Sequence, residues 1–85
     1  MTRQEILDRI RQVARERLEL DAPLRPDAHL LRDLELDSLR QLSFVIELEN
    51  EFAICFEPED EGGLETVDDV VDVVMQRLEL AATAS

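Results

Sequence analysis

The sequence predicts an all-α fold: an antiparallel four-helix bundle with three main helices, a long first loop and a short third helix. Three observations predict it. The apolar residues are aliphatic, with three Phe and no Trp or Tyr among 85 residues, which suits packed helices better than a β-sandwich. They recur at helical spacing in three stretches. Each stretch follows a residue suited to cap a helix: Thr2, the pair Asp37 and Ser38, and Thr66. A chain of this size builds one core, so residues 1–80 form one domain and residues 81–85 a flexible C-terminal tail.

The first helix starts after Thr2, which has capping-box spacing to Glu5. Ile6, Ile10, Val13 and Ala14 follow on one face, with Leu18 and Leu20 near the end. Pro23 and Pro26 break the pattern, and residues 21–36 read as a long connection. Ordered loops of that length are often functional. Leu24, Leu30, Leu31, Leu34 and Leu36 are expected to pin it to the bundle.

Asp37 and Ser38 are both good N-cap residues, and a helix is expected from Leu39 to Phe52. It carries two apolar stripes. Phe44, Val45, Leu48 and Phe52 form a compact face. Leu39, Leu42 and Ile46 form a second, displaced around the helix. A helix in so small a bundle cannot easily bury both, so the second is either extra core or an exposed docking surface. In residues 53–65, Ile54 and Phe56 are apolar anchors, Pro58 opens a short helical turn, and Gly62-Gly63 ends it. Thr66 caps the last helix, with Asp68 and Asp69 in its first turn and Val67, Val70, Val71, Val74 and Leu78 as its buried stripe. Its valines also suit a strand, but the aspartates fall at helical spacing.

The formal net charge is −12, which disfavours nucleic acid as a partner. Residues 1–26 hold six Arg against five acids, and residues 27–85 three Arg against sixteen. Steering of a basic partner must therefore come from the second part; a merely soluble, self-repelling surface is the plainer reading of the same charge. The single cysteine, Cys55, forms no internal disulfide and needs no oxidising compartment. Charged residues interrupt the N-terminus, and no apolar run approaches a membrane span. A cytoplasmic, monomeric, stand-alone subunit is expected, with no membrane partner.

Catalytic chemistry is nearly absent. The chain has one His, one Cys and no Lys, and His29 and Cys55 lie far apart with no motif around either. His29 is expected on the surface or in a loop, and Cys55 at a packing or edge position. Zinc would lack soft ligands. Glu57, Glu59, Glu61, Gly62 and Asp68 loosely mimic a calcium loop, but Pro58 and the unsuitable first and twelfth residues make this an acidic patch. No enzyme and no metal site are expected.

Ser38 remains. By position alone it is a helix cap. Its surroundings are more specific: Asp33-Leu34-Glu35-Leu36-Asp37-Ser38-Leu39, the acidic helix ending Glu49-Asn50-Glu51-Phe52, and Thr66-Val67-Asp68-Asp69-Val70-Val71. These three segments resemble the acyl carrier family of phosphopantetheine-binding proteins, with its D-L-G-x-D-S-L turn, E-x-x-F helix end and T-V-x-D-V-V opening. The resemblance runs from about Ile6 to Leu78. It implies that Ser38 bears a covalent 4′-phosphopantetheine, whose thiol carries acyl groups as thioesters. The physical logic agrees: a phosphodiester is an anion, and a helix N-terminus offers it unpaired N–H groups and the positive dipole end. A transferase supplies the chemistry, so the chain needs no activating base.

The resemblance also implies that Asp37 assists that transferase through its metal ion. Leu39, Leu42, Ile46, Glu47, Glu49 and Arg40 fall where carriers meet partners, and Glu51 adds to the acids. The implied partners are the phosphopantetheinyl transferase and acyl-activating, acyltransferase and ketosynthase-type enzymes. A bound acyl chain would insert at the Phe44-Val45-Leu48-Phe52 face. Three positions depart from the pattern: Glu35 stands where Gly is usual, and Arg40 and Ser43 where acids are common. They point to polyketide or other specialised synthesis rather than housekeeping fatty acid synthesis. The alternatives are an aminoacyl or peptidyl carrier, and a helical interaction module without a prosthetic group.

Overall fold

The computed structural model describes residues 1–20 and 23–84, apart from the side chains of residues 61 and 82–84. Four helices follow one another: α1 (Arg3–Arg17), α2 (Ser38–Phe52), α3 (Pro58–Gly62) and α4 (Val67–Ala84). Helix α1 packs against both α2 and α4.

Local chemistry sets most boundaries. Thr2 and Glu5 close a reciprocal capping box: the Glu5 N–H donates to Thr2 Oγ1 at 3.2 Å and the Thr2 N–H to Glu5 Oε1 at 3.0 Å. Helix α1 ends where Glu19 turns left-handed, φ 53°, so that the Leu20 N–H donates back to the Ala14 carbonyl at 3.1 Å. Pro58 occupies the first position of α3, where its missing N–H costs nothing. At α4 the Asp69 N–H donates to Thr66 Oγ1, and the Thr66 and Glu65 N–H groups donate to Asp69 Oδ2 at 3.0 Å. Those two donors hold the Asp69 carboxyl below the usual aspartate range.

The core is aliphatic around Phe44, as the composition requires. Ile6, Ile10, Leu30, Leu36, Leu48, Val67, Val70, Val71 and Val74 are fully buried with it. Leu7 belongs to this core too, although the expected stripe of α1 omitted it. Leu78 packs against it partly buried.

The long connection is ordered by backbone bonds to the start of α4. The Leu30 N–H donates to the Glu65 carbonyl at 2.8 Å, Val67 to Ala28 at 3.0 Å and Asp68 to Pro26 at 2.9 Å. His29 organises the turn beyond. Its Nδ1 accepts the N–H groups of Leu31 and Arg32, and its own N–H donates to Asp33 Oδ2 at 2.7 Å. Leu24, Leu30, Leu34 and Leu36 are buried as expected, but Leu31 is 54% exposed. The helical turn over residues 30–34 points Leu30 and Leu34 inward and leaves Leu31 on its outer side. Asp21 and Ala22, within this connection, lie outside the described residues.

At the other end, α4 continues through Ala84, beyond the start of the expected tail. Leu, Glu and Ala are strong helix formers, so nothing local stops the helix at Leu80. Ser85 lies outside the described residues, as does the Glu61 side chain of the expected acidic patch.

Candidate functional site

Asp37, not Ser38, caps α2. Its backbone is extended, φ −72° and ψ −179°, and its Oδ1 accepts the Arg40 N–H at 3.0 Å. Its carbonyl accepts the Gln41 N–H at 2.8 Å, the first bond of the helix. Ser38 is therefore the first helical residue, one position earlier than expected. It is exposed, and among the described residues its hydroxyl makes no hydrogen bond. Asp37 Oδ2 likewise has no partner among them.

The turn before this cap is held from two sides. The Leu36 N–H donates to the Leu30 carbonyl at 2.9 Å, and Gln41 Nε2 donates to the Leu36 carbonyl at 2.8 Å. Glu35, in the glycine position of the motif, has φ 55°. The loop thus keeps a left-handed residue there although the side chain is not glycine.

Beside Ser38 lies an open cleft of about 420 Å³ between α2 and α3, lined by Ser38, Gln41, Leu42, Val45, Pro58, Gly62 and Leu64. Its apolar surface comes from Leu42, Val45, Pro58 and Leu64, and Ser38 and Gln41 add polar surface beside it. The two stripes of α2 separate as the spacing allows. Phe44, Val45, Leu48 and Phe52 are buried, whereas Leu39 is 76%, Leu42 47% and Ile46 46% exposed.

The acids expected to flank that exposed stripe are engaged within the chain. Arg17 pairs with Glu47 and Glu51, both at 3.1 Å, and Arg9 pairs with Glu51 at 2.9 Å. Glu49 Oε2 accepts the Phe56 N–H at 2.9 Å, fixing the chain after α2. Arg40 is exposed, with one long 3.5 Å bond to the Leu18 carbonyl. Asp60 accepts the Glu57 N–H and pairs with Arg77, and both contacts hold its carboxyl low. Among the described residues no group of acids, His and Cys is arranged to hold a metal ion. Cys55 is exposed and unpaired, while His29 is part of the loop rather than an outlying surface group.

Residues 8–74 match the family model of the phosphopantetheine attachment site. The chain belongs to the acyl carrier proteins. It is 37% identical over 79 residues to acyl carrier protein 2 of Ralstonia nicotianae, covering 92% of this chain and 98% of the relative. It is 37% identical over 86 residues to the acyl carrier protein of Saccharopolyspora erythraea, covering 100% and 90%. Among solved structures, the acyl carrier protein of Thermotoga maritima superposes with a TM-score of 0.84 at 25% identity, covering 93% of each chain. That of Enterococcus faecalis gives 0.72 at 30% identity, covering 91% and 99%.

Acyl carrier proteins are carriers rather than enzymes, and their group is covalent 4′-phosphopantetheine. This carrier offers features that fit it: an exposed serine hydroxyl without an internal partner, at a helix N-terminus favourable to a phosphodiester, beside an open cleft with one apolar wall. Sequence reasoning missed Gln41. Its position, one helical turn beyond Ser38 on the same side, was the available signal. It also missed the structural part of His29, for which local sequence carries no signal because the contacts depend on the turn's shape.

Proposed function

We infer that Ser38 is the attachment residue and that this carrier serves a specialised acyl pathway, polyketide or related, rather than housekeeping fatty acid synthesis. The observation that carries the first part is the division of labour at α2: Asp37 takes the capping bond, which leaves the Ser38 hydroxyl exposed and uncommitted. When bound, the group supplies a terminal thiol that holds acyl cargo as a thioester. Ser38 Oγ holds the phosphate at the helix end, where the N–H groups and dipole favour its charge. Asp37 Oδ2 is open to the divalent ion of a phosphopantetheinyl transferase, while Oδ1 keeps the helix start in place.

The second part rests on charge. Leu39, Leu42 and Ile46 form the docking stripe, yet Glu47, Glu49 and Glu51 are already bonded internally, and Arg40 stands where an acid is common. Partners adapted to an acidic stripe would meet a mostly apolar one carrying a cation. The unpaired Cys55 suits a reducing compartment such as the cytoplasm, where we place the protein.

The test is loading. The protein is incubated with coenzyme A, magnesium and a broad-specificity phosphopantetheinyl transferase, and its intact mass is measured. The expected result is the gain of one phosphopantetheine in the wild type and none in Ser38→Ala. An equal gain in Ser38→Ala would place the group elsewhere. For the pathway, Arg40→Asp is expected to improve exchange with fatty acid synthase enzymes, and no improvement would count against specialised partners.

A further inference from the structure

Gln41 is bonded and placed in a way that the attachment of a group to Ser38 does not by itself require. Its Nε2 donates to the Leu36 carbonyl at 2.8 Å. A carbonyl oxygen only accepts, so this contact assigns the amide's orientation: NH₂ toward Leu36 and Oε1 away from it. Oε1 has no hydrogen-bond partner among the described residues. Leu36 is fully buried and itself anchored to Leu30, so the Gln41 side chain is tied to a fixed point rather than left to rotate. Gln41 is half-buried and lines the cleft beside Ser38. Of the described side chains in that cleft, Ser38 and Gln41 are the polar ones; Leu42, Val45, Pro58 and Leu64 make the rest of the wall.

We propose that Gln41 is a positioning residue for the prosthetic arm: its Oε1 accepts an amide N–H of a phosphopantetheine borne by Ser38 and holds the arm against the cleft. This rests on Ser38 being the attachment residue. A phosphopantetheine carries two secondary amides. An amide N–H laid against an apolar wall loses its water and needs an acceptor. Gln41 offers one a single helical turn from the attachment point, and the bond from its own NH₂ to Leu36 keeps that acceptor from turning away. The same side chain thus ties the turn that precedes the cap to the arm that follows it.

The experiment uses holo protein bearing an octanoyl group on an arm isotopically labelled at its amide nitrogens. Solvent exchange of the arm amide protons is measured by NMR in the wild type, Gln41→Lys and Gln41→Ala, after intact mass confirms loading. Gln41→Lys keeps a donor for the Leu36 carbonyl and removes the acceptor, so it separates the arm contact from the structural bond. One arm amide is expected to exchange about three- to tenfold more slowly in the wild type than in free octanoyl-phosphopantetheine, the effect of one net hydrogen bond. That protection should vanish in both variants, while Gln41→Lys keeps the backbone shifts of Leu36 and Asp37. Equal exchange in wild type and free arm, or protection that survives in Gln41→Lys, overturns the proposal while leaving attachment at Ser38 intact. Absence of the mass gain overturns both.

Discussion

Asp37 Oδ1 accepts the Arg40 N–H at 3.0 Å, the bond that caps α2. Because this contact satisfies one of the N–H groups that a helix leaves open at its beginning, the adjacent Ser38 side chain is not drawn into capping. A structural bond made by one residue therefore sets the chemical availability of the next.

Removing that bond should cost stability and availability together. Asp37→Ala is expected to destabilise the fold by about 1 kcal/mol, lowering Tm by roughly 4–8 °C in a domain of this size. Asp37→Ser should recover most of that loss, because serine also caps, but not the rate of loading by the transferase. Thermal melting and loading kinetics on the two variants separate the roles. Equal loading by Asp37→Ser and the wild type would confine Asp37 to capping.

Two of the three left-handed residues that are not glycine flank α2 and should respond to glycine. Glu35 before the α2 cap and Ala53 after α2 both have φ 55°, a conformation that costs a side-chain-bearing residue about 1 kcal/mol or more. Glu35→Gly and Ala53→Gly should each raise stability in urea by roughly 0.5–1 kcal/mol, part of the relief being offset by the looser unfolded chain. Gly replacing the helical Ala14 should do the opposite. Destabilisation by Glu35→Gly would mean that its side chain contributes more than its backbone loses.

The two stripes of α2 should separate in a paired measurement. Leu48 is fully buried, and Leu48→Ala is expected to cost about 2–5 kcal/mol. Leu42 is half-exposed, and Leu42→Ala should change unfolding by well under half that while slowing acyl exchange with partner enzymes. A Leu42→Ala protein with undiminished exchange would exclude this stripe from docking.

The acid limb of stability has a definite sign. The carboxyls of Glu5, Asp60 and Asp69 are held below their ordinary values, chiefly by backbone N–H donors. A lowered folded pKa gives stability that is present above the unfolded value and is lost as pH falls through the folded one. Resistance to urea should therefore weaken as pH drops below about 4. Asp69→Asn should flatten that limb, since an amide cannot titrate. An unchanged slope in this variant would assign the acid loss to other carboxyls.

The arginine contacts on α2 should tune recognition more than folding. Exposed ion pairs contribute about 0–1 kcal/mol, so Arg9→Ala combined with Arg17→Ala should melt close to the wild type. With Glu47 and Glu51 released, association with basic partners should become faster and more salt-sensitive in stopped-flow mixing. No change in the salt dependence would show that these acids do not face the partner.

Much of this was legible in the residues themselves because it is decided within a few positions along the chain. The Thr2 and Glu5 pair, Pro58 at a helix start, Thr66 with its aspartates and the period of the valines each settle an element by local bonding or spacing. The double stripe of α2 was likewise visible, and a bundle this small left the Leu39, Leu42 and Ile46 side outside. Other features depend on residues far apart. Asp37 and Ser38 are both competent caps, and the choice fell to Asp37 only once Leu30 and Gln41 held the turn at Leu36. Glu47 and Glu51 read as free acids until α1 brought Arg9 and Arg17 beside them. Glu35 read as a break in a glycine motif, yet backbone bonds on either side hold it in the glycine conformation. Short-range preferences identify what each segment can do; contacts between segments, each strengthened by the geometry the others impose, decide which of those options the protein takes.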